Sequence, residues 1–149
     1  MARNHYLSTV RVERRPFYRR FAAFAAACFV GTLATDIAYL RTANIMWADF
    51  SDWLLTGGVI VGWATVVVAV IETYLIRAPL RSRPGGWYVI GSLVALILAI
   101  FDMLVHTRDA WTSVVPTGLV LSAAIVLVLI LTGWMTRRSD RFAGSEESV

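Results

Sequence analysis

The sequence predicts an all-α fold: an integral membrane four-helix bundle of up-down-up-down topology with both termini cytoplasmic. Three observations carry this. Of 149 residues, 58% are hydrophobic and 16% charged, where a soluble domain holds about 45–50% apolar and about 25% charged residues. The chain contains four apolar runs of spanning length, residues 21–40, 53–76, 87–107 and 114–135. Its arginines segregate to alternate connections between those runs. Together with a mean hydropathy of +0.64, these exclude a soluble α/β enzyme, a disulfide scaffold and a disordered chain.

Each run is long enough to cross about 30 Å of hydrocarbon at 1.5 Å per residue, and backbone in lipid must bond internally, so each is a helix. A basic segment, residues 1–20, precedes them. Within it Glu13-Arg14-Arg15-Pro16-Phe17-Tyr18-Arg19 is similar to a twin-arginine export motif. The apolar stretch after it runs on through Val30, Gly31 and Leu33, which favours a retained first helix over a cleaved leader. Cys28, the single cysteine, falls in that helix and reads as a small buried hydrophobe.

In the first connection, Ile45, Met46, Trp47 and Phe50 at helical spacing predict a short interfacial helix. Ser51 and Asp52 then cap the second helix, whose Gly58-Val59-Ile60-Val61-Gly62 is a GxxxG pattern for close helix approach. Ala23, Ala27 and Gly31 form a comparable stripe on the first. Such stripes serve contact within one subunit or a homodimer seam. Pro84-Gly85-Gly86 marks the second turn. Asp109, Thr112 and Ser113 cap the fourth helix, with Pro116 in its first turn. Residues 137–149 form a polar tail, irregular from Ala143 onward.

Orientation comes from the arginines, which supply all fourteen basic side chains. Arg3, Arg11, Arg14, Arg15, Arg19, Arg20, Arg77, Arg81, Arg83, Arg137, Arg138 and Arg141 lie on one side, and only Arg41 and Arg108 on the other, beside Asp49, Asp52 and Asp109. Positive residues in short loops stay cytoplasmic. The basic balance, net +4, therefore reflects topology and attraction to the lipid bilayer, with no nucleic-acid partner.

The third helix carries the most information. Gly91, Ala95, Ala99, Asp102 and His106 recur in steps of four, four, three and four, which places them on one stripe. Thr32, Asp36 and Tyr39 share a face of the first helix at similar depth. Ionisable residues at membrane depth mark function or a specific pair. The expectation is an outward-facing polar chamber of Asp36, Tyr39, Asp102 and His106, with Arg41 or Arg108 as counter-charge. Its alternatives are a clamp fixing helix register and a ligand, proton or cofactor site. Glu72, one turn from the inner end, is expected to reach Arg77, Arg81 or Arg137.

Metal ligation has little to build on, since the two histidines, His5 and His106, fall on opposite sides and neither HExxH nor CxxC occurs. A b-type haem would need His106 plus Met103, Met46 or the His106 of a second copy, whereas quinone needs no second histidine. No nucleotide fingerprint or nucleophile motif is present.

The segments Phe29-Val30-Gly31-Thr32-Leu33-Ala34-Thr35-Asp36-Ile37-Ala38-Tyr39, Met46-Trp47-Ala48-Asp49-Phe50-Ser51-Asp52-Trp53-Leu54-Leu55 and Val105-His106-Thr107-Arg108-Asp109-Ala110-Trp111-Thr112-Ser113 resemble a bacterial inner-membrane family, domain of unknown function 2231. The resemblance spans most of the chain, from about Pro16 to Arg138. It implies four helices, an aspartate near the outer end of the first, here Asp36, and a polar segment after the third, here His106 to Ser113. Neighbourhood of some relatives to periplasmic sugar dehydrogenases implies a periplasmic or membrane redox protein as partner. Broader members often carry His-Pro near the first helix, where this chain has Arg15-Pro16.

The functional expectation is a non-enzymatic inner-membrane partner or anchor subunit that displays Trp47, Asp49, Asp52, Arg108, Asp109 and Trp111 around the buried acids. The rival readings are a redox carrier of quinone or haem near His106 and an oligomeric, proton-coupled small-solute permease.

Overall fold

The computed structural model describes residues 17–75, 85–107 and 114–146. Four helices span them: α1 (Tyr18–Thr42), α2 (Ile45–Val70, continued by a π-helical turn over Ile71–Leu75), α3 (Gly86–His106) and α4 (Leu119–Glu146), the last preceded by a π-type turn over Val114–Gly118. Each crossing segment is long and apolar enough to traverse a bilayer.

The chain order generates two helical hairpins, α1 with α2 and α3 with α4, joined through smaller α1–α4 and α2–α3 contacts. Antiparallel pairing within the first hairpin is set by Phe29 against Gly58 and Gly31 against Leu54. Within the second it is set by Gly91 against Thr132. Tyr18 touches Tyr88 at one end, with ring centroids 5.9 Å apart, and Asp36 meets His106 toward the other, so α1 and α3 run parallel. The result is the up-down-up-down bundle that short connections dictate. Between the ends lies an apolar centre of Ala25, Phe29, Leu55, Val59, Ala95, Leu96, Ala99 and Ile125.

The α1–α2 turn differs from expectation. Ala43 adopts a left-handed conformation (φ 51°) that ends α1, and the Asn44 side chain accepts the Met46 N–H to start α2. Residues 45–50 are therefore the first turns of α2 itself, and Ser51 and Asp52 lie inside the helix, where they cap nothing. The physical reason is that Asn44 already satisfies an orphan donor ahead of them, and no proline interrupts the helix beyond it. At 1.5 Å per residue the 30-residue segment Ile45–Tyr74 is about 45 Å long, more than a bilayer core needs.

Pro116 also departs from its expected place in a regular first turn. Val115, which precedes it, is extended (φ −121°, ψ 126°), as steric conflict with a following proline favours, and regular α4 begins only at Leu119. At the other end, α4 stays helical through Glu146 in place of the irregular tail expected from Ala143. Residues 136–143 carry no glycine or proline, and extending a formed helix costs little once it is nucleated.

The glycines of the GxxxG pattern are spent within the chain. A Cβ on Gly58 would stand 2.7 Å from Phe29 Cε1 and 3.1 Å from Cys28 Cβ, and one on Gly62 would overlap Leu96. Gly58 and Gly62 are buried, so this motif joins α2 to α1 and α3 and offers no homodimer seam. Ala23 and Ala27, by contrast, lie off the fully buried face of α1, which is Ala25, Cys28, Phe29, Thr32 and Asp36. Among the described residues Glu72 is partnered by backbone, its Oε1 accepting the Phe17 N–H at 2.9 Å; Arg77 and Arg81, two of its expected partners, lie outside the described residues. Phe17 has no side-chain cap, and a carboxylate complements the positive end of a helix.

Close approach at Gly58 is testable against its neighbour, because a Cβ on Gly57 meets nothing within 4 Å. Gly58→Ala should lower the thermal midpoint in mild detergent, in line with an overpacking cost of about 1–3 kcal/mol. Gly57→Ala should leave it unchanged or raise it through helix propensity. Equal shifts in both would show that the α1–α2 contact does not limit stability.

Candidate functional site

The cluster is assembled by three helices. The α1 face that buries Phe29 and Thr32 brings Asp36 inward one turn later, and the small-residue stripe Ala95–Ala99 of α3 does the same for Asp102 and His106. Asp36 and Asp102 are 0% exposed and His106 5%. From α2, Ser51, also fully buried, completes the set.

Ser51 donates to Asp36 Oδ1 at 2.5 Å. The Thr35 hydroxyl lies 2.7 Å from the Ser51 hydroxyl and Thr32 returns its own to the Cys28 carbonyl. His106 Nε2 stands 3.3 Å from Asp36 Oδ1. On the other side of the ring, Nδ1 is 3.0 Å from the Asp102 carbonyl oxygen and 3.2 Å from Asp102 Oδ1. The order across the site is Ser51, Asp36, His106, Asp102.

Hydrogen-bond chemistry fixes the role of the ring. A carbonyl oxygen can only accept, so Nδ1 carries a proton. Nε2 faces the Asp36 oxygen that already accepts from Ser51 and is placed to donate as well, and a ring donating from both nitrogens is an imidazolium bridging α1 and α3. The counter-cation expected from Arg41 is thus supplied by histidine: Arg41 is exposed at the end of α1, and the ion pairs of Asp36 and Asp102 among the described residues run to His106. Arg108, the other expected counter-charge, lies outside the described residues, as do Asp109 and Trp111.

The remaining expected residues divide. Tyr39 is buried against Ala48 and Val114 in a small second cluster. Asp52 is half-buried on α2, in electrostatic reach of His106, Asp36 and Asp102. Trp47 and Asp49 are exposed on the first turns of α2, with the Trp47 and Phe50 rings 6.1 Å apart. Gly91, Ala95 and Ala99 line the inner side of α3 as contact surfaces, Gly91 so closely against Thr132 that a Cβ would overlap it. Sequence reasoning assigned Ser51 to a helix cap and missed its place beside Asp36. The available signal was that Ser51, Leu55, Gly58 and Gly62 share one helical face.

Haem ligation does not fit this arrangement, because both ring nitrogens of His106 face protein acceptors and neither is left for iron. Among the described residues, no three metal-ligating side chains converge in a way that could hold an ion. The site also differs from a Ser-His-Asp catalytic order: the serine bonds a carboxylate rather than the imidazole, and it is fully buried. What the arrangement can do is hold charge and protons at the junction of three helices.

Fold and site together define a multi-pass membrane protein, a bundle of four apolar helices with a buried Asp-His-Asp cluster near one end. The chain belongs to the predicted membrane protein family DUF2231, whose signature matches residues 16–139. No curated protein and no solved structure matches it.

Removing one partner of a buried ionic group leaves uncompensated charge, a loss of about 3–5 kcal/mol. His106→Ala should accordingly lower the thermal midpoint far more than Ser51→Ala, for which about 1–3 kcal/mol is expected. Both losses should persist at high salt, since buried pairs are little screened. Unfolding curves in detergent with and without added salt check this, and shifts as small as those of exposed-site variants would refute it.

Proposed function

We propose that this chain is a non-enzymatic subunit of a bacterial inner membrane, oriented with both termini in the cytoplasm, that anchors or docks a periplasmic or membrane partner through the end of the bundle holding the α1–α2 turn. The observation that carries the reading is how polar groups divide at that end. Asp36, Ser51, Asp102 and His106 are buried together inside the bundle, while Arg41, Trp47, Asp49 and Phe50 stay exposed around them. A rigid interior beneath an aromatic and charged rim suits recognition, because tryptophan and arginine anchors dominate interface energetics. An enzyme would instead present its nucleophile or its imidazole to a substrate.

The distribution of arginines supports the orientation, with Arg19, Arg20, Arg137 and Arg138 at one end and Arg41 at the other. Aromatic side chains at both ends fit interfacial belts: Trp87 and Trp134 beside the basic end, and Trp53, which is 78% exposed, beside the turn. The family's implied redox partner is consistent with an anchoring role that holds no cofactor itself.

In a Cys28→Ala background, Asp49→Cys should react with a membrane-impermeant maleimide in intact cells, and Arg138→Cys only after permeabilisation. The reverse pattern would overturn the orientation. A photo-crosslinking residue at position 49 should give one discrete adduct in native membranes that disappears with Trp47→Ala at unchanged protein abundance. Adducts identical to those from position 133, on the lipid-facing side of α4, would overturn the docking role.

A further inference from the structure

We propose that Asp102 is a proton-binding site, its carboxyl protonated at neutral pH inside the folded bundle. Hydrogen-bond partners and charge balance both lead there. Asp36 Oδ1 receives the Ser51 hydroxyl and the His106 Nε2–H, the surroundings of an ionised carboxylate. Asp102 is 0% exposed and neither of its carboxyl oxygens receives a hydrogen bond, because Nδ1 of His106 is turned toward the Asp102 backbone carbonyl. An ionised carboxylate in that position would be a desolvated anion whose neighbouring imidazole N–H, 3.2 Å away, is already given to the backbone carbonyl, a costly state in a protein interior.

The charges sum to the same conclusion. An imidazolium between two carboxylates leaves a net −1. One further proton makes the buried set neutral, and Asp102 is the member whose oxygens lack donors. Among the described residues, the groups that face the cluster add no compensating cation: α1 contributes Asp36 and the Thr32 and Thr35 hydroxyls, α2 contributes Ser51 and the half-buried Asp52, and the segment before α4 contributes apolar Val114. Asp52 makes the surroundings more negative still, which favours a bound proton further. Asp102 lies one turn from the end of α3, and the residue after His106, Thr107, is exposed, so the site is within reach of the aqueous boundary.

The ligand is a proton, and the test reads it directly. Infrared spectra of the full chain in lipid nanodiscs at pH 7 should contain a protonated-carboxyl C=O band assignable to one group, absent in Asp102→Asn. The band's frequency should be unmoved by Ser51→Ala, because Ser51 donates to Asp36 and not to Asp102. An upward shift in Ser51→Ala would place the proton on Asp36 and overturn the assignment. Absence of the band in the parent protein would show both carboxylates ionised, and its emergence only when sodium is replaced by choline would identify a monovalent cation in the proton's place. Either outcome overturns the proposal. A second readout does not depend on spectroscopy. Asn replaces a neutral carboxyl almost isosterically, so Asp102→Asn should keep the parent's thermal midpoint at pH 7. It should also weaken the parent's fall in midpoint with rising pH, because the unfolded aspartate is ionised and its proton is released on unfolding; the part of the fall that remains belongs to the His106 imidazolium. A parent midpoint flat between neutral and alkaline pH would count against a resident proton.

Discussion

Everything at the turn end of this bundle depends on one interaction, the imidazole of His106 held between two buried carboxylates. A lone aspartate at that depth would be excluded from a stable membrane protein by the cost of desolvating its charge. Two of them on different helices share one flat ring, which sets Nε2 3.3 Å from Asp36 and Nδ1 3.2 Å from Asp102. The geometry this demands is strict: α1 and α3 must run parallel and in register, with Asp36 level with His106, and α2 must bring Ser51 to the same level. The cluster thereby specifies the relative height of three helices, which apolar contacts alone leave loosely defined.

The apolar half of the bundle solves a different problem. Helices in lipid gain little from hydrophobic burial and associate through close contact instead. Gly58 and Gly62 let α2 approach α1 and α3, and Gly91 lets α3 approach Thr132 of α4, in each case at a distance no larger side chain would allow. The same glycines that look like a dimer motif on paper are consumed in forming a single copy. The two devices are complementary, since glycine contacts set how near the helices lie and the polar cluster sets their register.

Among the described residues, both intramembrane acid systems find partners that are not arginine. Asp36 and Asp102 turn to histidine, and Glu72 turns to the N–H that opens α1. A buried acid is then matched by a donor fixed to the scaffold, which loses little conformational freedom when the contact forms.

Hydropathy, arginine placement and helical periodicity determined the number of helices, their alternation and the inward face of α3, because these are properties of single segments: an apolar run must be helical in lipid, and residues spaced by three or four must share a face. The stripe from Gly91 to His106 was legible for that reason. What only the tertiary structure decided were the relations between segments. Whether Ser51 caps a helix or bonds Asp36 depends on where α2 begins, and that was settled by Asn44 at the turn. Whether Arg41 or His106 balances the acids depends on which side chain can reach them without exposing charge to lipid, and whether Gly58 and Gly62 face a second copy or the chain's own Phe29 and Leu96 depends on how the hairpins close. Period and composition act along the chain, whereas pairing, register and charge compensation act across it.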